Sequence, residues 1–245
     1  SNMATGAGVS PRKLLVSSLT DSWRQSYPTS RLYAVAYDAN DAVLLGGRSA
    51  DAVLWFEPKS GNWVTSSYYA NELPQWVQSF NNKNLAPAYS KAYWEATPMP
   101  SRAAVEELAL RRRRGEKADT ALRTEISVSG QGYSRLLYTP SGNSMLRDLI
   151  ITAVEQAALG RGSVPDLLSV YFTPFERIAE LYGQESAQFR DALLRFDKEL
   201  STLLEYLDLT IGKKEYLVVV TSAYATDPSP WLLSQWQIPS GYFSP

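Results

Sequence analysis

The chain has 245 residues, 44% of them hydrophobic and 20% charged, with 24 basic and 25 acidic side chains for a net charge of −1. That is an ordinary globular balance, long enough for one large domain, and nothing global points to nucleic acid or an acidic membrane surface. With no Cys and no His, disulfides, Cys-based zinc sites, His-dependent triads and H-E-x-x-H proteases are excluded within this chain.

No apolar run approaches the roughly 20 residues of a membrane span, and none reads as a signal peptide. The start, "SNMATGAGVSP", reads as an expression remnant joined to a domain boundary.

Ser10 and Pro11 read as a helix N-cap and first helical residue. Leu15, Leu19 and Trp23 follow at helical spacing, so 11–26 is predicted as an amphipathic helix. "RLYAVAY" (31–37) predicts a strand, and 43–45 a second short strand before the Gly46-Gly47 turn. Residues 52–69 read as a hairpin around the turn cluster 58–62, and 73–84 as a short helix opened by Pro74.

Between about 85 and 135 the character changes. Pro87, Pro98 and Pro100 break the chain, and a charged helix capped by Ser101 follows. The expectation is an inserted lobe, about 52–135, on a single domain spanning 1–245. Regular order then resumes: a helix over 141–160 with Ser144 as cap and Gly160 as terminator, a strand at 166–173, and a long helix. Its apolar stripe is Phe189, Leu193, Phe196, Leu200, Leu203 and Leu207. A buried strand at 216–221, "YLVVVT", closes the series. Alternating helices and strands predict a parallel sheet covered by helices.

Several stretches occur together in a familiar order. They are "SPRKLLVSSLTDSWR", "GNWVTSSYYANELPQWVQSFNN", "YTPSGNSMLRDLIITAVEQAALG", "DLLSVYFTPFERIAELYG", "FRDALLRFDKELSTLLEYLD" and "YLVVVTSAYA". Together they resemble the alkaline phosphatase superfamily, in its bacterial type I phosphodiesterase/nucleotide pyrophosphatase-like branch with a Thr nucleophile. The resemblance spans nearly the whole chain, and the aromatic string around Tyr68 and Trp76 is its most specific part.

The resemblance implies a three-layer α/β/α sandwich with a mostly parallel sheet, here carrying an aromatic-rich cap lobe. It also implies two zinc ions at the carboxyl ends of the strands, clamping a phosphate ester attacked by a Thr. This chain departs from that pattern. Where the family carries an Asp and, four residues on, a His, this chain has Glu176 and Glu180. The family's adjacent Asp-His pair aligns with Ala223 and Tyr224, neither an ordinary metal ligand. The phosphate-binding Lys-Asp-Arg string aligns with Asp38, Ala39 and Asn40, and a His after the Gly turn with Arg48. An Asp in place of a cation repels a phosphate dianion. The family's first strand, a metal-binding Asp and the Thr nucleophile lie before Ser1, and a last His after Pro245. The expectation is a degenerate or truncated member, non-catalytic as this chain, with no cofactor. The alternative is a metal-dependent phosphoesterase completed by other segments or by a carboxylate-only site. By family habit its location is the periplasm or cell envelope.

Glu176 and Glu180, with Asp166 or Asp227, are weak candidates for a Mg²⁺ or Ca²⁺ site. A solvated first-turn pair beside Arg177 is the plainer reading, because hard cations need more converging oxygens. The basic run 111–114 is flanked by Glu106, Glu107, Glu116 and Asp119, so a solvated helix end outweighs a phosphate patch. Trp55, Trp63, Tyr68, Tyr69, Trp76, Phe80, Tyr89, Tyr93 and Trp94 form either a platform for a protein or glycan partner or, more simply, a packed core. The Gly46-Gly47 pair is weak support for a phosphate cradle. Thr65, Ser66 and Ser67 lack a base and read as strand and turn residues.

Overall fold

The computed structural model describes residues 9–91, 93–96, 122–126, 132–184, 186–222, 233, 236–239 and 241. Its centre is strand β1 (Leu32–Ala36). β1 runs parallel to β2 (Ala52–Glu57) on one side and to the strand Leu167–Tyr171, β6, on the other. A third strand, β3 (Asn62–Val64), returns antiparallel along β2, so the sheet order is β3-β2-β1-β6. Val35 stands opposite both Leu54 and Val170, and Phe56 opposite Trp63.

Parallel neighbours cannot be joined by a tight turn, so each connection crosses over as a helix. Helix α2 (Ala39–Gly46) joins β1 to β2. Side chains alternate along β1 and load both faces. Val35 and Tyr37 meet Trp63, Trp76, Phe80, Leu146 and Leu149 on one face. Those residues come from β3, from α3 (Gln75–Asn82) and from α5 (Pro140–Gln156). Leu32, Ala34 and Ala36 meet Ala42, Val43 and Trp55 on the other, with Trp23 of α1 (Leu19–Ser26) packed against them. The result is a three-layer α/β sandwich with a mostly parallel sheet.

A short helix, α4 (Ala86–Tyr89), follows α3. Strands β4 (Tyr93–Ala96) and β5 (Leu122–Glu125) pair antiparallel as a separate ribbon. Trp94 tethers that ribbon by donating from its indole Nε1 to Asp191 at 2.7 Å. Asp191 lies on α7 (Ala187–Thr210), which follows α6 (Thr173–Tyr182). No described helix is long and apolar enough to cross a membrane.

The structure revises five expected elements. The helix expected over 11–26 is a 3-10 turn at Pro11–Lys13 and a helix that starts at Leu19. Ser18 and Asp21 form a reciprocal capping box there, which fixes the start locally and leaves Leu15 outside, 96% exposed. Residues 43–45 are helical, because Asp38 caps α2 and the β1-to-β2 crossover needs a helix. A three-residue apolar run carries no period to tell the two apart. The hairpin 52–64 belongs to the central sheet instead of beginning a lobe. The charged helix expected after Ser101, with the basic run 111–114, lies outside the described residues. Helix α5 starts at Pro140, four residues before the expected cap Ser144, and ends at Gln156, before Gly160. Finally, 216–221 is not a strand: Leu217 is 87% and Val219 77% exposed. β6 pairs only with β1 among the described residues, and the run does not pair along its other edge.

Gly47 ends α2 with φ +57°, and a Cβ there would sit 2.0 Å from Ser18 Oγ and 2.5 Å from Asp21 Oδ2. Gly47→Ala is expected to cost at least about 2 kcal/mol, because both the backbone strain and the lost cap act together. Urea denaturation of the two proteins measures this. Asp21 gives a pH signature at the same place. Burial alone would raise its carboxyl, but the amides of Ser18 and Arg48 and the hydroxyls of Ser49 and Ser18 hold it below its ordinary 3.8. Its contribution is therefore complete above that value and is lost as pH falls through the lower folded one. Asp21→Asn is expected to be less stable at neutral pH and to lose part of the acid limb in a melting-temperature profile.

Candidate functional site

The carboxyl ends of parallel strands are where open α/β sheets gather ligands. After β1 the chain passes through Tyr37 to Asp38. The Tyr37 hydroxyl is buried and donates to the carbonyl of Gly142 at 2.8 Å. Burial pushes this phenol well above its usual range, so it remains a neutral donor. Gly142 is required for this approach: a Cβ would meet Leu136 O at 2.2 Å and Pro174 Cγ at 2.8 Å. The first turn of α5 is thus pinned to the ends of both β1 and β6.

Acidic groups collect at this edge. Asp38 caps α2, accepting from the Asn40 amide at 2.8 Å. Asp41 follows in the first turn. After β6, Glu176 in the first turn of α6 accepts a hydrogen bond from the Tyr171 hydroxyl at 2.8 Å. Burial first, and then the Asp38 and Glu176 carboxylates, push the Asp41 carboxyl from 3.8 up to about 6, with Arg177 opposing. The Tyr171 phenol is raised by burial and by Glu176. Asp38 and Glu176, expected from sequence, therefore do share one neighbourhood. Asp41 and Tyr171 join them. Their signals were an acid three residues after the capping Asp38 and a phenol at a strand end.

Other expected members lie elsewhere. Asn40 is exposed on α2. Glu180 is one turn beyond Glu176 and pairs with Arg177 at 3.0 Å on the surface. Arg48 is at the opposite end of the sheet, because the eight residues of α2 carry the chain back about 12 Å. There its amide donates to Asp21 at 2.8 Å. The Gly47 amide is spent on Val43 O, so the Gly46-Gly47 turn is a helix terminus and offers no cradle. Asp166 staples the amino end of β6, accepting from the amides of Arg31 at 2.7 Å and Gly160 at 2.8 Å. Ala223, Tyr224 and Asp227 lie outside the described residues.

The donors at this edge, among the described residues, are carboxylates and phenols and include no imidazole. Among the described residues no three acidic side chains converge at metal-ligand spacing. Glu176 and Glu180 are committed to Tyr171 and Arg177. Thr65 donates to Val53 O at 2.7 Å inside the hairpin, as a strand residue does. Of the nine aromatics, Trp55, Trp63, Trp76, Phe80 and Trp94 are buried. They are core, and Tyr68 and Tyr93 are the exposed members.

A parallel-centred three-layer sandwich with acids at its strand ends defines an α/β/α domain. Residues 10–233 match the family described as type I phosphodiesterase / nucleotide pyrophosphatase, and the chain belongs to that family, within the alkaline phosphatase superfamily. It is 30% identical over 242 residues to a protein named calcium-transporting ATPase from Myroides odoratus, covering 96% of this chain and 44% of that one. It is 29% identical to alkaline phosphatase PhoV of Synechococcus elongatus, covering 95% and 43%. It is 27% identical to alkaline phosphatase PafA of Elizabethkingia meningoseptica, covering 96% and 44%. The crystal structure of wild-type PafA superposes with a TM-score of 0.78 at 24% identity, over 96% of this chain and 46% of that one. That likeness shows the shared fold. The chain spans less than half the length of these relatives.

Asp41 carries the test of this edge. Its raised value means the folded state binds a proton more tightly than the unfolded one, so its charge costs stability as pH rises through 3.8 to about 6. Asp41→Asn is expected to be more stable than the parent at pH 7, with the gap closing towards pH 4. Chemical denaturation at several pH values measures it, and parallel pH profiles would contradict the assigned crowding.

Proposed function

We propose that this chain is a phosphatase/phosphodiesterase-superfamily domain that, as this polypeptide, performs no two-zinc phosphoryl transfer and serves as a binding or structural domain. The observation that carries the reading is the strand-end charge. Asp38, Asp41 and Glu176 stand together there, in a chain with no His. Crowded carboxylates repel a phosphate dianion, and the cation beside them, Arg177, is paired with Glu180. The protein is expected to hydrolyse p-nitrophenyl phosphate and its bis-ester no faster than buffer in the presence of Zn²⁺. A chelator-sensitive rate that scales with protein concentration would overturn the reading.

One observation favours a second reading, a phosphoesterase using a carboxylate site or completed by other segments. Repulsion around Asp41 is what a hard cation would relieve, and Mg²⁺ takes oxygen ligands of this type. On this reading Mg²⁺ or Mn²⁺ stabilises the protein, and Asp41→Asn or Glu176→Gln abolishes the effect. A melting temperature unchanged by either ion removes it.

The binding role has a narrower aromatic basis than the sequence implied. Tyr68 and Tyr69 form an edge-to-face pair 4.9 Å apart, with Tyr68 exposed. Of the nine aromatics singled out from sequence, Tyr68 and Tyr93 are the ones open to a protein or glycan. The family habit of an envelope location completes the proposal, and cell fractionation tests it.

A further inference from the structure

A polar cavity of about 280 Å³ lies where α7 crosses α5. Such crossings are ordinarily filled by apolar side chains. Here two polar stripes face each other at helical spacing: Ser141, Ser144 and Arg147 from α5, and Arg195, Lys198, Glu199 and Thr202 from α7. The sheet-facing side of α5 carries the apolar core, so this stripe is a separate surface from the acidic strand ends.

Most of the charge in the cavity is already committed. Arg147 pairs with Glu199 and, at 2.6 Å, with Asp148. Ser144 donates to the same Glu199 at 2.5 Å. Glu199, the cavity's carboxylate, thus accepts from both Ser144 and Arg147, while Arg147 is shared between it and Asp148. Arg195 is held through Nε by buried Asp191 at 2.7 Å and through Nη2 by the carbonyl of Glu95 at 2.9 Å. That fixes its guanidinium plane and leaves Nη1 without a hydrogen bond among the described residues. Lys198 has no ion-pair partner among the described residues, and the Ser141 hydroxyl has no hydrogen bond there. A held guanidinium, an uncommitted ammonium and an uncommitted hydroxyl thus border one cavity. Together they offer charge-assisted donors of the kind that bind a tetrahedral oxyanion.

We propose that the cavity between α5 and α7 binds a small phosphorylated molecule, with Lys198, Arg195 and Ser141 holding its phosphate. The volume exceeds what a bare phosphate fills, so the remainder accommodates the attached organic group. This site is independent of the acidic strand ends and of whether they do chemistry.

Backbone amide NMR of the chain, titrated with inorganic phosphate and separately with glycerol phosphate at constant ionic strength, tests it. Saturable shifts are expected at Ser141, Ser144, Lys198 and Thr202, with glycerol phosphate binding at least as tightly as phosphate. Lys198→Gln is expected to weaken both ligands about tenfold, the effect of losing one charged hydrogen bond. Lys198 is exposed, so its melting temperature should stay the same. Ser141→Ala gives a second, milder loss. Non-saturating shifts, shifts confined to the strand-end residues near Asp38, or an unchanged affinity in Lys198→Gln would each overturn the proposal. Tighter binding of inorganic phosphate than of glycerol phosphate would overturn the organic-ligand half of it.

Discussion

Everything in this molecule hangs on β1 being buried on both faces and paired on both edges. Leu32, Ala34, Val35 and Ala36 are at most 1% exposed. A strand in that position must be apolar on successive residues, and its parallel partners must be reached through helices. That single constraint places α2 on one face and α5 on the other. It also sends Tyr37 and Asp38 out at the carboxyl end, beside Tyr171 of β6 and Glu176 of α6.

The chemistry of the edge then follows from which side chains leave the strands. In the family to which this chain belongs, the resemblance implies a metal centre and cationic phosphate contacts at this edge. Here the residues leaving the strands are acids and phenols, held by one another. Tyr171 holds Glu176, Arg177 holds Glu180, and the α2 amide of Asn40 holds Asp38. Such an edge is stable as protein structure and unfavourable for an anion. Arg48, aligned from sequence with a family His, lies at the far end of the sheet, where its guanidinium donates to the Leu14 carbonyl.

Much of the architecture was legible in the residues. The alternation of apolar strands and amphipathic helices gave the sandwich, and Pro74 marks a real helix start. The misses have physical causes. Residues 43–45 were too few to show a period, and only the crossover requirement makes them helical. The 11–26 helix was read from spacing, whereas the Ser18–Asp21 capping box decides where it begins. The run 217–220 has strand composition, but a strand exists only where another strand pairs with it. At the edge, Asp38 and Glu176 were found by alignment of motifs. Asp41 was not, because the packing of α2 on β6 brings it near Glu176 across a long stretch of chain, and Tyr171 was read as an ordinary strand residue although its partner Glu176 is close in sequence.

Elemental analysis of protein purified without chelator, after incubation with Zn²⁺, Mg²⁺ and Mn²⁺ and removal of free metal, tests whether this chain assembles a two-zinc centre. No stoichiometric zinc is expected. One or two tightly held zinc ions per chain would contradict it and would mean that carboxylates such as Glu176 and Asp41 rearrange to rebuild the site.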